Sequence, residues 1–419
     1  MDKALLILGI LLFIPAGIAG RKRPDIRRWI GRVVGFAAYP SASITFFYQA
    51  SYRGYERGHE LALIDLAVIS LAISIPWTRW SSALRVPRWT YLFIAGASLL
   101  YAAEPRYTLF ALHHILAVYF AFTVIAHAVE HEEIGPSVLQ GLCFGVCYAT
   151  YLALYQRYVG GYFQTPGPFG HQNGLALSGN MIFPAALALV MAGQGGKLAP
   201  LTVAAAALGT VLSLSRGGMV MYVGATGMVL AGSMLRGITT RKLVVVASLL
   251  GGTVLLAAKS LDSIVDRFTN APEASSHARE EFERVAATML HDHTFGVGLN
   301  HFSHASAMGY GDAAGLPAID IGGIVHNVYW LQLAELGIIG LVGFVFLYFS
   351  PPLLGAITAI RDRGVLGDIA LGLTAGIIVT LFQGKLEWSV FAGKLNRIIW
   401  VLFALLVGIY RQSRRRRQS

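Results

Sequence analysis

The residues best suited to chemistry lie in the second half of the chain. His326-Asn327 is followed by nine residues and then by Gly337-Ile338-Ile339-Gly340 and Gly343. His326 closes a hydrophilic stretch and Asn327 opens an apolar one, a position where asparagine is a good helix cap. A histidine at such a boundary exchanges protons near neutral pH and is suited to general-base work. Arg216, in Ser213-Leu214-Ser215-Arg216-Gly217-Gly218, stands between two apolar runs, and Arg284 falls in a hydrophilic stretch close to Glu280 and Glu281. The planar fork of arginine donates two parallel hydrogen bonds to phosphate oxygens, so both are candidates for holding a phosphorylated group. Arg157, at the end of an earlier apolar run, is a weaker candidate of the same type. Taken alone, each also fits a plainer role: an interfacial polar residue, a helix-end marker, or a partner for a neighbouring glutamate.

Other polar residues rank lower. His301 and His304, with His291 and His293, make the same hydrophilic stretch histidine-rich. No carboxylate cluster with ligand spacing accompanies them, so no metal site is expected, and the sequence carries no P-loop or other cofactor motif. Arg53 and His59, near Glu60 in an early hydrophilic gap, read as loop residues available to an anionic acceptor or as simple caps. His113 and His114 sit inside an apolar run, and Cys143 and Cys147, four apart in another, share a helix face and read as packing residues.

The elements that must position these residues cross a membrane. Of the 419 residues, 55% are hydrophobic and only 13% charged, about half the charged fraction of a soluble domain. Thirteen apolar segments fall at roughly 4–20, 33–50, 61–77, 90–103, 108–128, 137–155, 174–192, 198–214, 217–235, 243–260, 327–350, 365–384 and 395–410. Each approaches the length needed to span a hydrocarbon core of about 30 Å, and all are expected to be helices, because backbone groups in lipid must be satisfied within the segment. The expectation is one all-α, polytopic integral membrane domain over 1–419 with about 12–13 transmembrane helices.

The net charge of +11 is concentrated in short gaps: Arg21, Lys22, Arg23, Arg27, Arg28 and Arg32; Arg79, Arg85 and Arg88; Arg236, Arg241 and Lys242; Arg361 and Arg363; and the tail Arg411 and Arg414–Arg417. That distribution follows the positive-inside rule rather than nucleic-acid binding. It places the C-terminus in the cytoplasm, where the tail can also meet anionic membrane lipids. The long hydrophilic excursion at 261–325 then lies on the opposite, periplasmic face, and loops of that length are usually functional. Within it, Ala278–Leu290 puts Phe282, Val285, Ala286 and Met289 on one helical face, which predicts an amphipathic helix that lies on the membrane or caps a cavity.

The His-Asn pair, its nine-residue spacing and the Gly-x-x-Gly repeat resemble the signature of bacterial O-antigen ligases, within the O-antigen ligase and polymerase superfamily. Three further stretches resemble the same pattern in the same order. They are Gly167-Pro168-Phe169-Gly170-His171-Gln172-Asn173-Gly174, the Ser-Arg-Gly turn around Arg216, and the loop block from Arg284 through Asp292-His293 to Phe295–Phe302. The likeness covers about 160–350, whereas the first 150 residues match only in hydropathy. It implies a GT-C-like, metal-independent and inverting glycosyltransferase of the bacterial inner membrane, with its active site on the periplasmic face. The implied donor is undecaprenyl diphosphate-linked O-antigen and the implied acceptor lipid A–core oligosaccharide. His326 would activate the acceptor hydroxyl, and Arg216 and Arg284, with Arg157 in reserve, would bind the donor diphosphate. Apart from the resemblance, Asn327, His301, Arg53 and His59 are candidate acceptor or loop contacts. A polymerase or a protein O-oligosaccharyltransferase of the same superfamily, and more distantly a lipid-linked glycan transporter, are the competing readings.

Overall fold

The structure, a computed structural model, describes residues 2–40, 42–76, 83–269, 274–391 and 393–418. Arg79, part of one basic gap, lies outside them. Helices α1 (Asp2–Gly20) and α2 (Pro24–Phe36) precede an antiparallel hairpin of β1 (Ser43–Phe46) and β2 (His59–Ala62). Eight helices follow: α3 (Leu63–Ser74), α4 (Arg85–Ala97), α5 (Pro105–Glu132), α6 (Gly135–Tyr158), α7 (Gln172–Ala192), α8 (Leu198–Ser213), α9 (Arg216–Leu235) and α10 (Thr240–Thr269). Then come α11 (Ala274–Asp292), the short turns α12 (Phe302–Ala305) and α13 (Gly311–Ala313), and the long α14 (Val328–Arg361), α15 (Val365–Gln383) and α16 (Gly393–Gln418).

Among the described residues, α5, α6, α7, α9, α14, α15 and α16 are long and apolar enough to cross a membrane, while α3, α8 and the Gly9–Gly20 part of α1 are shorter apolar helices. The chain is therefore an all-α polytopic membrane protein. The apolar segment expected at 33–50 is not a helix. Pro24, which needs no hydrogen-bonded N–H at a first helical position, starts α2 early, and α2 ends at Phe36. Beyond it, Ser43–Phe46 pairs in register with His59–Ala62. The segment's hydrophobicity thus reflects two short elements, one helical and one extended. At the other boundary, α10 continues nine residues past the expected start of the long loop at 261.

Packing radiates from α7, the most buried of the candidate spans, which contacts α15, α8 and α9. Gly372 and Gly376 of α15 make the closest approach, since a Cβ there would lie 2.3 Å from Ala185 Cα and from Met181 O of α7. Small residues four apart let membrane helices meet at the backbone. A second group joins α16 to α5 and α14. Within it, buried Arg397 pairs with Glu60 at 2.7 Å and with Asp65 at 3.5 Å, which ties the hairpin and α3 to α16. The basic gaps gather where α9, α14 and α16 end: Arg236 pairs with Asp368 at 2.9 Å, Arg241 reaches Ala192 O at 3.2 Å, and Arg411 pairs with Glu130 at 3.1 Å. The opposite end of the same helices, where α7, α9 and α14 begin and α15 finishes, holds the cleft described next.

Candidate functional site

Three chain turns build the cleft. Leading into α7, Gly167–Phe169 forms a tight turn and His171 caps the helix, its Nδ1 accepting from Asn173 N at 3.3 Å. Leading into α9, Ser215 caps with its Oγ accepting from Gly218 N at 3.2 Å, so that Arg216 occupies the first helical position. Leading into α14, the Asn327 side chain accepts from Tyr329 N at 3.1 Å and from Trp330 N at 3.4 Å, which leaves His326 just outside the helix. The return from α15 is joined to this start by Val328 N donating to Gly384 O at 2.8 Å.

Between these turns lies an open cleft of about 560 Å³, lined among others by His171, Asn173, Arg216, Arg279, His326 and Glu387. The first turns of α7 and α9 both line it. Helix N-termini present unpaired N–H groups and positive dipole ends, which favour an anion. Arg216 has no carboxylate partner among the described residues and is half-buried in the cleft wall. Arg279 is 3.9 Å from Glu387.

Glu387 organises the floor. Its side chain is only 6% exposed, receives the Asn173 amide, and places Oε2 3.8 Å from His326 Nδ1. That nitrogen is buried and makes no hydrogen bond, while the His326 side chain as a whole is 38% exposed. The ring also meets Phe282 edge-on, with centroids 6.4 Å apart. Desolvation pushes the His171 imidazole below its usual range; His326 and Arg279 add to that, and Glu387 opposes it.

A second apolar core supports this floor. The expected amphipathic helix is present as α11, and its face of Phe282, Val285, Ala286 and Met289 packs on Phe302, Val325, Leu331 and Ala334. It therefore caps the cleft with its apolar face buried inside the protein. The loop after α11 docks on α14 at a break. Gly337 takes φ 65° and ψ −168°, which frees carbonyls of the preceding turn, and Val297 N and Gly298 N donate to Ala334 O and Glu335 O, both at 2.9 Å. A Cβ on Gly337 would sit 2.3 Å from Thr294 O, and one on Gly296 2.3 Å from Glu335 O. The fully buried Glu335 carboxylate accepts from Asn300 N at 2.9 Å, Phe302 N at 3.1 Å and Tyr55 Oη at 2.7 Å. Gly337 thus serves loop docking; of the glycines expected to serve helix packing, Gly343 does so against Ile94 of α4.

His326 and Arg216 come together in the cleft; the remaining sequence-predicted residues do not line it. Arg284 points away, with its side chain 70% exposed and 4.0 Å from Glu281. Five positions separate it from Arg279, about 140° around a helix, so only one of the two can face the cleft. Arg157 is spent on its own loop, donating to Tyr162 O at 3.1 Å and Phe163 O at 2.7 Å. Asn327 caps α14 and donates to Glu283 at 2.8 Å. His301 is buried, held by Leu299 O at 2.9 Å and by Glu104 N at 3.1 Å, and burial lowers its pKa. His59 packs edge-on against Phe110 and His113. Arg53 holds the carbonyls of Ile319 and Ile321, each at 2.9 Å.

Arg279 and Glu387 are the residues that sequence reasoning missed. For Arg279 a signal existed, because it shares the i, i+3, i+7 face with Phe282 and Ala286. Glu387 carries no motif; it meets His326 only through the junction of α14 and α15. Among the described residues, no group of three or more His, Cys, Asp and Glu side chains is arranged to hold a metal ion. Residues 201–345 match the family model described as O-antigen ligase. No curated protein matches the chain. The matched stretch contains Arg216, Arg279 and His326, whereas Asn173 and Glu387 lie outside it.

Proposed function

We propose that this chain, whose residues 201–345 match the family model described as O-antigen ligase, is an O-antigen ligase of the wider ligase and polymerase superfamily. In this reading it transfers the glycan of undecaprenyl diphosphate-linked O-antigen to a hydroxyl of lipid A–core oligosaccharide, at the periplasmic face of the inner membrane. The observation that carries the reading is the pairing, in one cleft, of an unpartnered Arg216 and two helix N-termini with His326 backed by Glu387.

The chemistry follows from that pairing. A proton on His326 Nδ1, facing the Glu387 carboxylate, leaves the Nε2 lone pair to accept the proton of the acceptor hydroxyl. The hydroxyl oxygen then bonds to the anomeric carbon as the bond from that carbon to the diphosphate oxygen breaks. The diphosphate leaves with the electron pair, and in-line displacement inverts the centre. Arg216, Arg279 and the N–H groups opening α7 and α9 meet the charge that grows on the leaving group. Glu387 is a positioning residue: its carboxylate, 3.8 Å from Nδ1, stabilises the imidazolium as it forms.

The test is a reconstitution of purified protein with undecaprenyl diphosphate-linked O-antigen, lipid A–core and EDTA, run beside His326→Ala. Loss of the base is expected to lower transfer by about 10²–10⁴-fold with the thermal melt unchanged. Wild-type transfer by that variant would remove His326 from the mechanism. Longer chains on the polyprenyl carrier, with nothing on lipid A–core, would replace the ligase reading with polymerase.

A further inference from the structure

One cleft residue does not belong to a diphosphate site. Asp320 lines the same cleft as His326 and Arg279, yet its carboxylate makes no hydrogen bond or ion pair among the described residues. An unneutralised carboxylate repels a diphosphate, so leaving it in a cleft built for one costs donor affinity unless it serves the other substrate. Its backbone is also held by side chains from outside the loop. Arg53, from the segment between β1 and β2, donates from one nitrogen to Ile319 O and Ile321 O, the carbonyls on either side of Asp320, both at 2.9 Å. Asp320 N donates to Pro317 O at 2.8 Å, and Gly323 N donates to Asp320 O at 2.8 Å. Ser303 Oγ binds Gly322 O, and Gly322 N donates to Ser306 Oγ at 3.2 Å. A turn pinned from three directions presents the carboxylate to the cleft at a fixed place.

We propose that Asp320 is the acceptor subsite: its two oxygens accept hydrogen bonds from neighbouring hydroxyls of the acceptor sugar and hold it beside His326, with Arg53 as the positioning residue behind it. The inference rests on the transferase reading above. An ionised carboxylate only accepts hydrogen bonds, and with two oxygens it matches a pair of adjacent hydroxyls. It discriminates against the donor's diphosphate by charge, which separates the two substrates within one open cleft. A site built to hydrogen-bond hydroxyls also favours substrates that carry them over analogues that lack them, because the latter leave the carboxylate without those partners. The acceptor class this selects is a neutral polyhydroxyl ring, or one bearing an ammonium, at the position next to the attacked hydroxyl.

The experiment compares wild type with Asp320→Asn, Asp320→Ala and Arg53→Ala, reading acceptor KM in the transfer assay and, separately, affinity for undecaprenyl diphosphate. Losing charge-assisted hydrogen bonds is expected to raise acceptor KM by about 10–100-fold in Asp320→Ala, and less in Asp320→Asn, which keeps one acceptor oxygen. Undecaprenyl diphosphate should bind as tightly as to wild type or tighter, and Arg53→Ala should raise KM by a smaller factor with kcat kept. Thermal melts of the Asn variant guard against misfolding. Weaker undecaprenyl diphosphate binding in Asp320→Asn would assign the residue to the donor instead and overturn the proposal. An acceptor KM unmoved in both Asp320 variants sinks the subsite alone, while a wild type that transfers to neither lipid A–core nor carrier-linked glycan sinks the transferase reading and the subsite with it.

Discussion

Two regions of this molecule collect charge, and they use it in opposite ways. Around α16, Arg397 is 3% exposed and already paired with Glu60 and Asp65, while Glu56 sits 3.4 Å from His114 behind them. In the cleft, Arg216 and Asp320 have no partners among the described residues, and His326 holds one nitrogen buried without a hydrogen bond. Both sets are polar residues in an apolar protein, and both are expensive to desolvate. The difference is in ion pairing. In the interior, Arg397 is committed to Glu60 and Asp65 and joins the hairpin to the bundle, whereas Arg216 and Asp320 in the cleft have no such partner among the described residues.

That contrast can be broken by substitution. Removing the interior cation should produce the largest change in stability. Arg397→Met leaves Glu60 and Asp65 without their counter-ion, and thermal unfolding in detergent is expected to show a loss of about 3–5 kcal/mol, with transfer per folded molecule retained. If Arg397→Met instead abolished transfer without lowering stability, the two regions would not be separable. Next come the arginines. Arg216→Ala and Arg279→Ala are each expected to lower transfer by about 10–100-fold with the melt kept, the loss of hydrogen bonds to a charged group, while Arg284→Ala stays within about 2-fold because its side chain is solvated. Equal, mild losses at all three would reduce the cleft arginines to topological charges.

The smallest effect is a pH dependence. Burial pushes the Glu56 carboxyl up to about 8, with Arg397 opposing and Glu60 adding to the shift. A raised carboxyl pKa means that the folded state holds the proton more tightly than the unfolded chain. The associated stability is complete below the ordinary carboxyl pKa of about 4.3 and declines as pH rises towards about 8. Melting temperature should therefore fall between pH 5 and 9, and Glu56→Gln should flatten that slope. A wild-type profile as flat as the variant's would mean that Glu56 is ionised in its pocket.

Much of this was legible in the sequence. Apolar runs long enough to cross lipid named most of the helices, and α11 followed from the face of Phe282, Val285, Ala286 and Met289. The same measure failed at 33–50, since hydropathy does not separate a helix end plus a paired strand from one span. His326 and Arg216 were visible because each stands at the end of an apolar run, where a charged or titratable residue is conspicuous. Arg284 was singled out on motif spacing and Arg279 was passed over, although helical phase favours the residue that shares a face with Phe282.

By itself the sequence determined where the chain is apolar, where most of its helices form, and which boundary residues are candidates for proton-transfer and anion-binding chemistry, because those properties depend on composition and period along the chain. Only the tertiary structure decided which of the polar residues share a cleft. Glu387 reaches His326 through the α14–α15 junction, Arg53 brackets Asp320 from more than 260 residues away, and the break at Gly337 receives the loop. These are contacts between distant segments, set by packing rather than by any local preference of the residues that make them.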